Sequence, residues 1–123
     1  MYNASLKEIS DQLISKKISS VELTRYFLDR IEKLNPPLNA CIAHSTTALD
    51  TAARIDTQRA TNDREKLSVL AGIPIIHKDN MCTKGMRTTC ASKALEHFVA
   101  PYDATLVKNL NYAGMITLAK ANM

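Results

Sequence analysis

The stretch LAGIPIIHKDN, residues 70–80, places four polar side chains directly after an apolar run. A strand over 73–77 would deliver Lys78 and Asp79 at its carboxyl end, where α/β sheets bind their ligands. A lysine kept from water there can lose its proton and act as a base toward a hydroxyl nucleophile such as serine. The spacing alone favours a solvated surface lysine at position 78, and a catalytic base is the alternative interpretation of Lys78.

The polar neighbours of this lysine favour structural roles. Alternation along a strand points His77 away from Lys78, which predicts a packed or partly exposed histidine rather than a second base. Asp79 is interpreted as a residue that holds a neighbouring loop. Four possible zinc ligands occur between residues 77 and 97, but with four, seven and six residues between them they form no compact ligand pair, so no metal site is predicted. These four ligands are His77, Cys82, Cys90 and His97.

Two helices with matching start signals precede the strand. Ser5 with Glu8, and Ser19 with Glu22, have the spacing of a capping box, and apolar residues follow each box at intervals of three and four. The prolines at 36–37 are expected to stop the second helix.

A short strand and a third helix come next. The apolar run NACIAH, residues 39–44, suits a strand, and Ser45 can cap a helix that continues to about Ile55. The polar run over 57–66 predicts a solvated helix end or loop.

The second half of the chain predicts a strand, a crossover, a helix and another strand. Residues 80–101 are irregular, Asp103 is expected to cap a helix that Gly114 ends, and Met115 to Leu118 form the second strand. This order is typical of a right-handed parallel unit. The last strand is expected to need neighbours from outside these residues.

Composition bounds the class of protein. The 123 residues are 46% hydrophobic and 23% charged, which is typical of a globular domain. Three cysteines without a CxxC pair indicate free thiols in a reducing compartment, and no apolar run has the length of a signal peptide or membrane span. The net charge of +4 is scattered, which favours a solvated surface over a nucleic-acid site. We expect a cytoplasmic protein.

Three motifs carry a resemblance to a known family: GIPIIHKDN over 72–80, CTKGMRTTCAS over 82–92 and PYDATLV over 101–107. At these separations they resemble the amidase-signature family, and within it the glutamine-hydrolysing subunits of tRNA-dependent amidotransferases. The SLKEIS and SSVELT helix starts are similar to that group too, so the resemblance covers the whole chain.

The resemblance implies a fold and a chemistry. The expected fold class is α/β: N-terminal helices over 1–65, then the first strands of an incomplete amidase-signature α/β/α sandwich with a mixed sheet over 66–123, all part of one domain. Such enzymes hydrolyse amides through a Ser, cis-Ser, Lys triad, in which the motif lysine falls on Lys78. Both triad serines lie beyond the matched region, so the 123 residues alone are expected to be inactive. Ser92, in a loop that runs near the family's active site, is a candidate substrate-binding residue, and a turn-forming role through side-chain to backbone hydrogen bonds is the alternative.

The resemblance also implies partners. The glutamine-hydrolysing subunit releases ammonia from glutamine, in a heterotrimer with the amidotransferase B and C subunits that amidates glutamate or aspartate mischarged on tRNA. ATP and magnesium serve the partner subunit, so no cofactor and no metal is expected in this chain, and no membrane partner.

Two alternatives stay open. The chain could be a truncated, inactive remnant that binds another protein, or a fragment of another amidase-signature amidohydrolase.

Overall fold

The computed structural model describes residues 1–61 and 66–123, which form four α-helices, three strands and a short 3-10 helix. The elements are α1 (Leu6–Ile14), α2 (Ser20–Leu38), β1 (Cys41–His44), α3 (Ala48–Ala60), β2 (Pro74–Lys78), the 3-10 helix (Lys93–Leu95), α4 (Thr105–Tyr112) and β3 (Ile116–Ala121).

Both predicted capping boxes are present. The Ser5 hydroxyl accepts a hydrogen bond from the Glu8 amide at 3.3 Å, and the Glu8 carboxylate accepts one from the Ser5 amide at 2.6 Å. Ser19 and Glu22 repeat the arrangement at the start of α2. Each box satisfies amides that a helix start would otherwise leave without partners, so the two helix starts follow from sequence.

The expected stop of α2 at 36–37 is wrong. Both prolines lie inside the last turn, which closes when the Asn39 amide donates to the Asn35 carbonyl at 2.7 Å. Asn39 is left-handed, with φ of 47°, and ends the helix there. The Asn35 side chain donates to the Cys41 carbonyl and accepts from the Cys41 amide, both at 2.8 Å. These two hydrogen bonds connect the end of α2 to β1.

The strand predicted over 39–44 is confirmed as β1, but Ser45 does not cap α3. Thr47 occupies the cap position without a side-chain hydrogen bond, and the Ser45 hydroxyl accepts from the Thr47 amide at 3.3 Å instead. The helix also extends beyond Ile55, because Ile55 and Arg59 both bury against the rest of the fold. The helix end or loop predicted over 57–66 begins as the last turn of α3, and residues 62–65 of it lie outside the described residues.

The strands form one mixed sheet in the order β1-β3-β2. β2 pairs with β3 in parallel and β1 pairs with β3 antiparallel, so the mixed sheet and the parallel pairing are confirmed. β3 is longer than predicted and central, with neighbours on both sides within this chain. The expectation that its neighbours lie elsewhere is therefore wrong.

The register between β2 and β3 shifts at Leu118. Ile75 pairs with Thr117 but Ile76 pairs with Ala119, which leaves Leu118 without a partner in β2. Such a bulge inserts one residue and resets the alternation of faces beyond it.

Two apolar clusters fill the space between helices and sheet. One contains Ala52 and Ile55 of α3 with Leu118 of β3. The other contains Leu13 of α1 and Leu23 of α2 with Ile73 before β2. The helices of the N-terminal half thus pack their apolar faces against the sheet.

Asp103 does not cap α4, which begins after Ala104. Its carboxylate instead accepts from the Lys84 amide at 2.7 Å and from the Asn111 side chain at 3.4 Å, so it fastens the loop to the helix. The helix ends before Gly114, whose φ of 82° is the left-handed geometry expected after a helix terminus.

Across 1–61 and 66–123, none of the helices has both the length and the apolar character needed to cross a bilayer.

Candidate functional site

Lys78 is the last residue of β2 and its side chain is exposed. Its Cα pairs with Ala121, and the next amide, that of Asp79, donates to the Ala121 carbonyl at 3.0 Å. The backbone at Lys78 is therefore hydrogen-bonded to the central strand of the sheet. The Lys78 amine is exposed at the sheet edge and accessible to a ligand.

His77 is packed, as predicted. It is 2% exposed, and its Nε2 lies 3.0 Å from the Thr117 hydroxyl on β3. Burial lowers the pKa of His77, and the Lys120 ammonium lowers it further, against an opposing effect of the Asp103 carboxylate. His77 therefore lies buried on the face opposite Lys78, where it contacts β3.

Asp79 holds a loop, which confirms its predicted role. Its Oδ2 accepts from the Thr89 amide at 2.9 Å and from the Thr89 hydroxyl at 2.5 Å. Its carbonyl accepts from the Cys90 amide at 3.3 Å. The carboxylate is fully buried, so these contacts pin the 88–90 segment against the end of β2.

Lys120 is the residue for which sequence reasoning predicted no role. It lies on β3 beside His77, its side chain is fully buried, and its Nζ donates to the Met81 carbonyl at 2.6 Å and to the Thr88 hydroxyl at 2.9 Å. Asp79 Oδ1 is 3.6 Å from the same nitrogen. Burial lowers the pKa of Lys120, and the carboxylate of Asp79 opposes that effect.

A sequence signal for Lys120 does exist. Parallel strands end at the same edge of a sheet, and both predicted strands are followed by a lysine, at 78 and at 120. The apolar pattern ends the second strand at Leu118 and so leaves Lys120 outside it, whereas the buried Ala119 and Lys120 carry the strand on to Ala121.

The loop after β2 is unusual in its backbone. Cys90 and Ala91 both have positive φ, at 51° and 56°, a conformation that costs energy in residues with a Cβ. Ser92 follows as a partly buried residue whose amide bonds the Thr89 carbonyl at 2.9 Å, and its side chain makes no capping bond to the 3-10 helix. Its predicted role in substrate binding stays a prediction.

The four possible zinc ligands are dispersed: His77 is buried, while Cys90 and His97 are exposed. Within the described ranges, no group of three or more His, Cys, Asp or Glu side chains converges as a metal site would require. All three cysteines are free thiols.

Comparison with known proteins identifies the family to which the chain is similar. The family model described as Amidase matches residues 22–123. The A subunit of glutamyl-tRNA(Gln) amidotransferase from Methylobacillus flagellatus is 48% identical over 123 residues, which is 100% of this chain and 25% of that protein.

Two solved structures share the fold. Peptide amidase from Stenotrophomonas maltophilia superposes with a TM-score of 0.89 at 34% identity, over 98% of this chain and 25% of that one. The A subunit of glutamyl-tRNA(Gln) amidotransferase from Thermotoga maritima gives 0.68 at 30% identity, over 98% and 24%. The chain thus spans about a quarter of the length of these relatives, and the predicted incomplete sandwich is confirmed.

Proposed function

Because this chain belongs to the amidase family, we propose that it is the N-terminal part of the glutamine-hydrolysing subunit of a tRNA-dependent amidotransferase. The observation that carries the proposal is the 48% identity to such a subunit over the whole chain. In this proposal, residues 1–123 are one portion of a single amidase domain, which is mainly helical over 1–65 and continues as strand, loop, helix and strand over 66–123.

Lys78 is the base in the proposed mechanism. Its place at the carboxyl end of β2, with the following residue bonded to β3, supports this role because the backbone that carries the amine is held. The Lys78 amine would accept a proton through a bridging serine as the nucleophilic serine attacks the glutamine amide. The same proton would return to the amide nitrogen, so that ammonia leaves and water then hydrolyses the acyl-enzyme to glutamate. Both serines, and the cover that keeps water from Lys78, belong to the part of the domain outside these residues.

The proposed setting is a cytoplasmic heterotrimer with the B and C subunits of the amidotransferase. Ammonia released here would pass to a partner subunit, where ATP and magnesium serve the amidation of glutamate or aspartate mischarged on tRNA. Glutamine is the ligand of the proposed enzyme, and the tRNA binds through the complex.

A second candidate is an amidohydrolase of another kind, favoured by the TM-score of 0.89 with a peptide amidase. Ammonia release from glutamine, compared with release from a peptide with a C-terminal amide, separates the two in the purified full-length polypeptide. Preference for the peptide amide would favour the amidohydrolase. Activity with neither substrate would favour an inactive remnant that binds another protein.

The variant Lys78→Ala tests the mechanism in that assay. Loss of a catalytic base lowers kcat by about 100-fold or more. Lys108→Ala, an exposed lysine on α4, is the matched control and should keep full activity. Full activity of Lys78→Ala would exclude Lys78 as the base.

A further inference from the structure

A buried ion pair lies behind the strand end that carries Lys78. Lys120 and Asp79 are 0% and 1% exposed, and their charged atoms are 3.6 Å apart. Removing two charges from water is costly, and apolar residues of similar size often stabilise a core as well as such a pair does. A contribution to stability therefore explains the presence of this buried ion pair poorly. A requirement for a defined geometry of the backbone around it explains the pair better.

The pair joins three separate backbone segments. Lys120 on β3 donates to the Met81 carbonyl and to the Thr88 hydroxyl. Asp79 receives both the amide and the hydroxyl of Thr89. One ammonium and one carboxylate thus fasten the turn after Lys78 and the 88–90 segment to the central strand.

Lys78 directly precedes this fastened turn. Alternation places its side chain on one face of the sheet and the Lys120–Asp79 pair on the other. A shift of the turn would move the Lys78 Cα and redirect its amine, because only one peptide unit separates Lys78 from Asp79.

We infer that Lys120 and Asp79 are positioning residues, which hold the end of β2 so that the Lys78 amine keeps a fixed direction. The inference rests on the proposed role of Lys78 as base. Misplacement of a reacting group by about 1 Å can reduce a rate by about 100-fold, so a loosened turn should be visible in kcat.

The first test compares Lys120→Met with Lys108→Met in the full-length polypeptide, with glutamine as substrate. Methionine keeps much of the length of lysine but makes none of its ammonium bonds. We expect Lys120→Met to lower kcat by about tenfold or more with KM changed by less than about threefold, because glutamine binding is not removed. Lys108→Met should match the wild-type protein.

A milder pair of variants separates positioning from folding. Thr88→Val replaces the hydroxyl that accepts from Lys120 with a methyl group of similar size, whereas Thr88→Ser keeps the hydroxyl. We expect a lower kcat for Thr88→Val and recovery of most of it by Thr88→Ser. A purely structural role would lower the melting temperature of Thr88→Val without changing kcat of the folded enzyme.

The outcomes are distinct. If Lys120→Met fails to fold, the Thr88 pair decides. Wild-type kcat in folded Thr88→Val would overturn the inference while leaving the proposed function intact, provided Lys78→Ala is inactive. If Lys78→Ala is fully active, the proposed role of Lys78 fails, and the positioning inference fails with it.

Discussion

The Lys120 ammonium lies 3.6 Å from Asp79 Oδ1 although the two residues are 41 positions apart and neither side chain reaches water. Within residues 1–61 and 66–123, this carboxylate oxygen accepts no hydrogen bond. The ammonium is therefore the group that compensates its charge, and each partner depends on the other.

Breaking this pair from one side should destabilise the protein. Lys120→Met leaves the Asp79 carboxylate buried without its cation, and we expect the free energy of unfolding to fall by about 3 kcal/mol. The double variant Asp79→Asn with Lys120→Met should recover at least half of that loss, because no charge stays buried. Urea unfolding of the wild type, both single variants and the double variant gives the coupling. A coupling near zero would contradict an energetic pair.

Acid should weaken the fold through His77. Its pKa is lowered from an ordinary 6.5 by burial, with Lys120 adding to the effect and Asp103 opposing it. Below about pH 6.5 the unfolded chain binds a proton that the folded chain does not, so stability falls as the pH decreases. The melting temperature of the wild type, followed from about pH 7.5 to pH 5.5, should drop more steeply than that of His77→Gln.

His97→Gln is the control for that experiment, because the His97 side chain is 90% exposed. It should keep the wild-type dependence on pH. Equal slopes for His77→Gln and the wild type would assign the acid sensitivity to other groups.

Gly72 should tolerate no side chain. Its φ is 84°, and a Cβ there would overlap the buried Ser20 hydroxyl. We expect Gly72→Ala to reduce the free energy of unfolding by about 3 kcal/mol, from the strained backbone together with overpacking.

Gly85→Ala provides the matched control. This glycine also has a positive φ, of 77°, but a Cβ there would meet nothing within 4 Å, so only the backbone cost of about 1 kcal/mol is expected. Adding Ser20→Ala to Gly72→Ala should restore part of the lost stability. Equal losses for the two glycine variants, measured by urea unfolding, would exclude the contact with Ser20.

The isolated 123 residues should associate in solution. In the described part of the chain, β1 and β2 each pair on one side only, and Ile76 on β2 is 40% exposed. An open strand edge beside apolar surface favours pairing with another chain. Size-exclusion chromatography should show species larger than a monomer. A compact monomer that unfolds cooperatively would contradict this expectation.

The native polypeptide should be several times heavier than 13.6 kDa, because the chain covers 25% of its relative from Methylobacillus flagellatus. An antibody raised to residues 1–30 and used on a cell extract checks this mass. A band at 13.6 kDa would favour the inactive remnant instead.

Local signals in the sequence are sufficient for much of the fold. The capping boxes that begin α1 and α2, and the apolar run of β2, are decided by residues near one another in the chain. The predicted cap of α4 is wrong because Asp103 bonds Lys84, 19 residues away, and the chain pattern contains no sign of that contact.

The site divides in the same way. Lys78 and Asp79 stand out because they follow an apolar run directly. The role of Lys120 depends on its hydrogen bonds to Thr88 and Met81, and only the tertiary structure brings these residues together. Periodicity in one strand cannot reveal a partner on a distant loop.

The unpaired Leu118 decides how two like charges are separated. Without that extra residue in β3, Ile76 would pair with Leu118 and Lys78 would pair with Lys120, which would set two ammonium groups side by side on one face. With it, one lysine is enclosed beside a carboxylate and the other stays available on the opposite face. One additional residue in β3 thus determines that Lys120 is buried while Lys78 stays exposed.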